Sequence, residues 1–203
     1  MKRLWIALLL ATCVFAQKPP KPPKNGLYAI FRTELGNIRV NLFEKDTPNS
    51  VSAFVGLAQG TLSWRDPNGV MVKKPMYDNT TFYRVLAGDV VQGGSPTGDS
   101  AYNCGFTIKD EILPGLRFGG GSLAIANSGS PDTGGCQFFF TTGPMHAFDG
   151  KYAIIGQVTE GEDIVMKLSR VPVHGERPID PPKLISVTIE RVGPTPEIKK
   201  PKK

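Results

Sequence analysis

Glycine punctuates this chain. Of its 203 residues 23 are glycine, and in the interior they mark turns between short apolar runs. Runs that brief, bounded by turn residues, read as the strands of an all-β or mostly-β domain. The length suffices for one domain with a sizeable core. A hydrophobic content of 40% with 21% charged residues is that of an ordinary globular protein. Prolines are densest at the two ends, where seven of the 18 fall within residues 17–26 and 194–203.

Residues 27–33 read as a strand, Glu34-Leu35-Gly36-Asn37 as a hairpin turn and 38–42 as the return strand. Thr47 is expected to cap a helix whose first position is Pro48. Val51, Phe54, Val55 and Ala58 form its apolar stripe, and Gly60 ends it. Residues 61–77, polar and rich in turn formers, read as a surface insertion. Further strands are expected at 81–85, 90–93, 123–126, 137–141 and 153–158, a second short helix at 162–169, and a closing strand at 183–192. Many strands with only two helices suggest a closed barrel capped by helices.

The N-terminus has the order of a secretory signal peptide: Lys2-Arg3, an apolar run from Leu4 to Phe15, then the small Ala16 before Gln17. The run is too short for a membrane span. A buried core helix is the competing reading, opposed by the two basic residues and by the proline-rich stretch that follows. Cys13 after Leu10-Ala11-Thr12 leaves lipoprotein anchoring as a minor alternative. The expected organisation is a signal peptide at 1–16, a semi-rigid Pro/Lys-rich linker at 17–26, a folded domain at 27–193 and a Pro/Lys-rich tail at 194–203. The expected location is periplasmic or extracellular. The net charge of +6 lies largely in lysines of these ends, which alternate with prolines and lack interleaved aromatics, so no nucleic-acid partner is expected. Cleavage would leave Cys104 and Cys136, an even count that permits a disulfide in an oxidising compartment; two free thiols are the alternative.

Three stretches carry the chemistry. Phe82-Tyr83-Arg84-Val85-Leu86-Ala87-Gly88-Asp89-Val90-Val91-Gln92-Gly93-Gly94 puts one arginine and one glutamine on two short strands joined by a tight turn. Ala126-Asn127-Ser128 through Gly134-Gly135-Cys136-Gln137-Phe138-Phe139-Phe140 supplies amides and aromatics, and Phe148-Asp149-Gly150-Lys151-Tyr152 follows. In order, spacing and flanking glycines they resemble the cyclophilin family of peptidyl-prolyl isomerases, from about residue 28 to residue 192. The resemblance implies a mainly β fold, a closed eight-stranded antiparallel barrel with a helix over each mouth. It implies cis-trans isomerisation of X–Pro bonds in proline-containing polypeptides by a monomer that uses no cofactor and no metal. It makes Arg84 the catalytic arginine and Gln92 the glutamine that orients it and contacts the substrate carbonyl. Ala126, Asn127, Ser128 and Gln137 become the residues that hold the peptide backbone. Val90, Phe139, Phe148 and Tyr152 become the proline pocket. It also sets Cys104 and Cys136 on loops beside one groove, close enough to pair.

Such a reaction needs few groups. The flip faces a barrier of about 18–20 kcal/mol from amide resonance and takes roughly tens to hundreds of seconds unassisted. A guanidinium aimed at the prolyl nitrogen favours the pyramidal nitrogen of the twisted state over the planar one, an interaction made mainly in the transition state. Arginine also stays charged at any working pH. Alone, Arg84 would read as a strand-surface cation; the matched stretches in order decide against that.

Two positions depart from the family pattern. Asp89 and Val90 stand where the family commonly has Phe and Met, and Ala147 where many members have Trp, Tyr or His. A buried carboxylate is costly unless paired. Asp89 is therefore expected to turn outward or to pair with Arg84, in either case leaving the proline pocket shallower. That departure keeps open a rival function, a catalytically weak cyclophilin-fold peptide-binding or chaperone module. His146 and His174 have no metal-ligand partner at useful spacing. Gly119-Gly120-Gly121 and Gly134-Gly135 lack the Lys-Ser/Thr of a phosphate loop.

Overall fold

The computed structural model describes residues 24–195. The leader, most of the 17–26 linker and most of the 194–203 tail lie outside the described residues. The strands are β1 (Gly26–Thr33), β2 (Gly36–Leu42), β3 (Trp64–Arg65), β4 (Met71–Val72), β5 (Thr80–Thr81), β6 (Arg84–Leu86), β7 (Val90–Gly93), β8 (Ser122–Ile125), β9 (Phe138–Thr141), β10 (Ile154–Glu160), β11 (Val173–His174), β12 (Arg177–Pro178) and β13 (Lys183–Val192). The helices are α1 (Pro48–Gln59) and α2 (Glu162–Leu168), with a short 3-10 turn at His146–Phe148 that the sequence pattern did not announce.

Nine strands form one antiparallel sheet in the order β5-β13-β1-β2-β10-β8-β9-β7-β6. Its two end strands, β5 and β6, are consecutive in the chain, with only Phe82 and Tyr83 between them. The single strand expected at 81–85 is thus broken in two, and counting the halves together gives the expected eight. The order is cyclic except at that break, which the covalent chain spans. Phe82 N still donates to Pro182 O (2.9 Å), beyond the last ladder pair of β5 with β13. The remaining strands form two small hairpins, β3–β4 and β11–β12.

Side-chain alternation divides the apolar residues between two clusters. Phe138 and Phe140 of β9 point into the main core, where Phe31, Phe54 and Tyr77 meet them edge-on at 5.0–5.9 Å. Phe139 lies on the opposite face with Val90, Phe118, Ala124 and Ile154, in a second, smaller cluster. Trp64, Met76 and Tyr77 belong to the main core. The 61–77 segment is exposed over most of its length, Val70 and Met71 at the β3–β4 tip included, but these three residues anchor it in the core.

α1 packs against β13 and α2 against β2. Val51, Phe54, Leu57 and Ala58 are the buried face of α1. Gly60 ends it in the left-handed conformation (φ 70°), and a Cβ there would lie 2.5 Å from the backbone at Lys74–Pro75. The expected Thr47 cap is absent, because the Thr47 hydroxyl donates back to Phe43 O (3.3 Å). Glu111, distant in sequence, caps the helix instead. Its carboxylate accepts from Asn49 N (3.1 Å), Ser50 N (2.8 Å) and Asn49 Nδ2 (2.9 Å). This satisfies two amides with no partner inside the helix and sets negative charge at its positive end. Glu111→Ala is expected to cost about 1 kcal/mol, the usual worth of such a cap. In urea unfolding this should appear as a lower midpoint with an unchanged slope.

Candidate active site

The register of four ladders sets one row of side chains across the outer face of the sheet. Arg84 of β6 lies opposite Gln92 of β7, Gln92 opposite Phe139 of β9, Phe139 opposite Ala124 of β8, and Ala124 opposite Ile154 of β10. A cation, an amide and an apolar floor thus share one face because the strand period is two. Beyond Gln92 the chain turns sharply at Gly94 (φ 85°). A Cβ there would meet the Phe138 ring at 2.9 Å and Cys136 O at 3.0 Å.

The apolar end is an aromatic box. Phe139 stacks on Phe118 (5.7 Å between centroids) and meets Phe148 (5.8 Å) and Tyr152 (5.2 Å) edge-on, while Phe148 and Tyr152 are 5.2 Å apart. Phe139 and Val90 are buried; Phe148 and Tyr152 are half-buried at the rim. Phe118 was not foreseen, although a large aromatic just before Gly119-Gly120-Gly121 was a visible signal. Its amide donates to Asp149 (2.8 Å), and this bond, with His146 and Arg117 alongside, holds the Asp149 carboxyl below its usual range. The box is thereby joined to the 3-10 turn.

The polar end is a relay of hydrogen bonds. Arg84 Nη1 donates to Gln92 Oε1 (2.9 Å), and Gln92 Nε2 donates to the Tyr83 hydroxyl (2.5 Å) and to Gln137 Oε1 (3.1 Å). The Tyr83 hydroxyl in turn donates to Gln137 Oε1. Gln137 Nε2 donates onward to Tyr102 O (3.0 Å) and Ser100 O (3.3 Å). Burial pushes the Tyr83 hydroxyl well above the ordinary phenol range, so it remains a donor at any working pH. Tyr83 was also not foreseen: strict alternation would send it to the face opposite Arg84. The break between β5 and β6 lets both neighbours reach the same side.

A cavity of about 550 Å³ opens over this relay, lined by Arg84, Gln92, Ala126, Asn127, Ser128, Gln137 and Tyr152 among the expected site residues. Val90, Phe139 and Phe148 are not on its wall; they form the adjoining apolar floor and rim. Several of these side chains also serve the fold. Gln137 bonds Tyr83 and Gln92 at one end of its amide and the 100–102 backbone at the other, so it braces the loop beside the cavity. Ser128 spends its amide and hydroxyl on Thr133 Oγ1 (3.1 and 2.9 Å). The Asn127 side chain is likewise tied, to Lys151 O and Gly129 N (both 3.0 Å), which fixes the loop backbone beside the cavity.

Asp89 is exposed in the β6–β7 turn, where its amide bonds Leu86 O (2.9 Å). It does not pair with Arg84. The partner of Arg84 is Glu176, whose Oε2 lies 2.6 Å from Arg84 Nε, and nothing in the sequence pointed to it. Of the two expected placements, outward or paired with Arg84, the structure has the outward one. Cys104 and Cys136 are joined as a disulfide with Cα atoms 6.2 Å apart, and both line the cavity. Among the described residues no group of three or more His, Cys, Asp or Glu side chains is placed to hold a metal, and no helix is long and apolar enough to cross a membrane.

Comparison with known proteins agrees with this geometry. The family model described as cyclophilin type peptidyl-prolyl cis-trans isomerase/CLD matches residues 28–189. Peptidyl-prolyl cis-trans isomerase A of Mycobacterium tuberculosis is 38% identical over 166 residues, 79% of this chain and 91% of that protein. Peptidyl-prolyl cis-trans isomerase B of Streptomyces anulatus is 36% identical over 170 residues, covering 81% and 97%. A crystal structure of a cyclophilin type isomerase of Cryptosporidium parvum, in the presence of the dipeptide Ala-Pro, superposes with a TM-score of 0.68 at 27% identity, covering 81% of this chain and 99% of that one. Sequence, fold and site agree, and the chain belongs to the cyclophilin-type peptidyl-prolyl cis-trans isomerases.

Proposed function

We propose that this isomerase acts on X–Pro bonds of exported proteins during their folding, as a monomer, with Arg84 as its electrostatic catalyst. The observation that carries the reading is the placement of Arg84. Its guanidinium is tethered to Gln92 at Nη1 and to Glu176 at Nε, and it stands one ladder position from Gln92 and two from the Phe139 floor. Of the five guanidinium donors two are committed, and Arg84 lines a cavity large enough for a short peptide.

A proline ring seated in the box of Phe139, Phe148 and Tyr152, over Val90, would bring its nitrogen toward those donors. Hydrogen bonding there is stronger to the pyramidal nitrogen than to the planar one, so the twisted state is held better than either planar isomer. Gln92 positions the guanidinium and reaches the substrate carbonyl. The backbone at Ala126 and Asn127 lies along the same cavity and supplies peptide contacts. That the Cryptosporidium relative was crystallised in the presence of Ala-Pro supports a proline-containing substrate. The binding-only alternative rested on the departure at Asp89; because Asp89 is in solvent and does not occupy Arg84, it keeps only the argument from a shallower proline pocket, and measured turnover decides between the two.

Export rests on the leader: residues 1–16 as a cleaved signal, 17–26 as a spacer and 194–203 as a tail, with no nucleic-acid role for the lysines. The test has two arms. A protease-coupled assay on a short chromogenic Ala-Pro peptide should show catalysed isomerisation, and N-terminal sequencing of protein from the source cells should begin at Gln17. An inactive folded protein would overturn the substrate assignment. An intact Met1 on cytoplasmic protein would overturn export, and a lipid on Cys13 would establish the anchored alternative.

A further inference from the structure

We infer that Glu176 is a positioning residue for catalysis: its carboxylate fixes the catalytic arginine from the side opposite Gln92 and leaves the Nη2 end free for the prolyl nitrogen. This rests on the role assigned to Arg84 above. The distances are 2.6 Å from Glu176 Oε2 to Arg84 Nε and 2.9 Å from Arg84 Nη1 to Gln92 Oε1. A guanidinium is a rigid planar fork, so two bonds on different nitrogens fix both its plane and its rotation in that plane. With Gln92 alone the side chain could still swing about the one bond, and about a third of it is exposed to solvent. A long arginine so placed keeps much of its rotamer freedom unless a second contact removes it.

The carboxylate is itself delivered by a built element. Gly175 and Glu176 are the turn of the β11–β12 hairpin, with Gly175 left-handed (φ 64°) and the ladder pairs His174 with Arg177 and Val173 with Pro178 below. The hairpin is docked on the edge of β6, where Val85 N donates to Glu176 O (2.7 Å). One residue therefore bonds the β6 edge through its backbone and the neighbouring Arg84 through its side chain. The Glu176 carboxylate and the Arg84 head reach each other because both are registered to the same strand.

An anion beside a catalytic cation has two opposed effects. It orders the guanidinium, and it lowers the positive potential the substrate meets. Both side chains are partly in water, 36% and 56% exposed, so the Coulomb effect is screened. The ordering effect is not screened in that way, because it is geometric. The net expectation is that Glu176 assists.

The experiment compares Glu176→Ala, Glu176→Gln and Arg84→Ala in the full chain, with kcat and KM on a short Ala-Pro peptide. The Arg84 Nε–Hε resonance is followed by NMR in the forms that keep the arginine. Glu176→Ala should lower kcat about threefold to fivefold, the upper part of what an exposed ion pair supplies, with KM within about twofold. It should also shift the Arg84 Hε signal and speed its exchange. Glu176→Gln keeps an acceptor of the same shape and should recover most of the kcat loss and the Hε protection. Removing Glu176 in an Arg84→Ala background should add no further loss, since the two act as one unit. An unchanged or raised kcat in a folded Glu176→Ala protein would overturn the inference; a rise would mark the carboxylate as a competitor for Arg84. Full activity in Arg84→Ala would instead remove the role assigned to Arg84, and the two failures are distinguished by that arm.

Discussion

Arg84→Ala should lower kcat/KM for X–Pro isomerisation by about 10²–10³, the effect of deleting one transition-state donor worth about 2.7–4 kcal/mol. The loss should fall mainly on kcat. The floor of Phe139, Phe148 and Tyr152 lies on the far side of Gln92 from the arginine, so ground-state seating of the proline ring survives. The fold should survive as well. Arg84 is at the sheet's edge, its ion pair with Glu176 is partly exposed, and such pairs contribute only about 0.2–1 kcal/mol to stability. Arg84→Lys is expected to recover little, because one ammonium on a flexible stem cannot bond Gln92 and Glu176 and also present a donor toward the cavity. A protease-coupled assay beside a thermal melt checks this. Near-wild-type turnover in a folded Arg84→Ala protein would remove the assignment.

What the sequence revealed and what it concealed follow from one physical distinction. Arg84, Gln92 and Phe139 were legible through the family resemblance of the stretches that carry them, and the strand period of two explains why the fold sets them in one row. The mainly β class was legible from local pattern, glycine turns between short runs. The residues that were missed reach the site over long sequence distances or by breaking the period. Glu176 meets Arg84 at a separation of 92 residues, from a two-residue hairpin turn with no distinctive composition. Glu111 replaces Thr47 as the cap of α1 across 62 residues. Tyr83 joins the relay only because the strand is interrupted before Arg84. Gln137 was correctly placed beside the groove, yet its role as a brace appeared only once its four hydrogen-bond partners were known. For Asp89, matching to the family fixed a position in the chain but not a direction in space, and the turn sends it to solvent.

Removing the Cys104–Cys136 bond should cost about 3–4 kcal/mol of stability, the chain-entropy value for a loop of that size, while changing catalysis far less. The link closes a segment of 32 residues that includes both cavity loops, so its main effect is on the unfolded chain, which gains freedom when the bond is cut. In the folded state the two backbones are held by other means. Arg65 N donates to Cys104 O (2.8 Å), and the Tyr77 hydroxyl donates to Cys136 O (3.0 Å). Ile108 N bonds Gly134 O (2.7 Å), and the Gln137 amide bonds Tyr102 O, tying one loop to the other beside the sulfurs. The cavity wall therefore keeps its shape without the covalent link. The double variant Cys104→Ala/Cys136→Ala should melt roughly 10 °C lower, taking about 2–4 °C per kcal/mol for a domain of this size, yet turn over an Ala-Pro peptide at 25 °C within about threefold of wild type, the small kinetic effect expected when a contact acts through the unfolded state. Mass spectrometry of a non-reduced digest should show the 104–136 peptide pair. A collapse of turnover with the melting temperature unchanged would mean that the bond shapes the groove rather than restraining the unfolded chain.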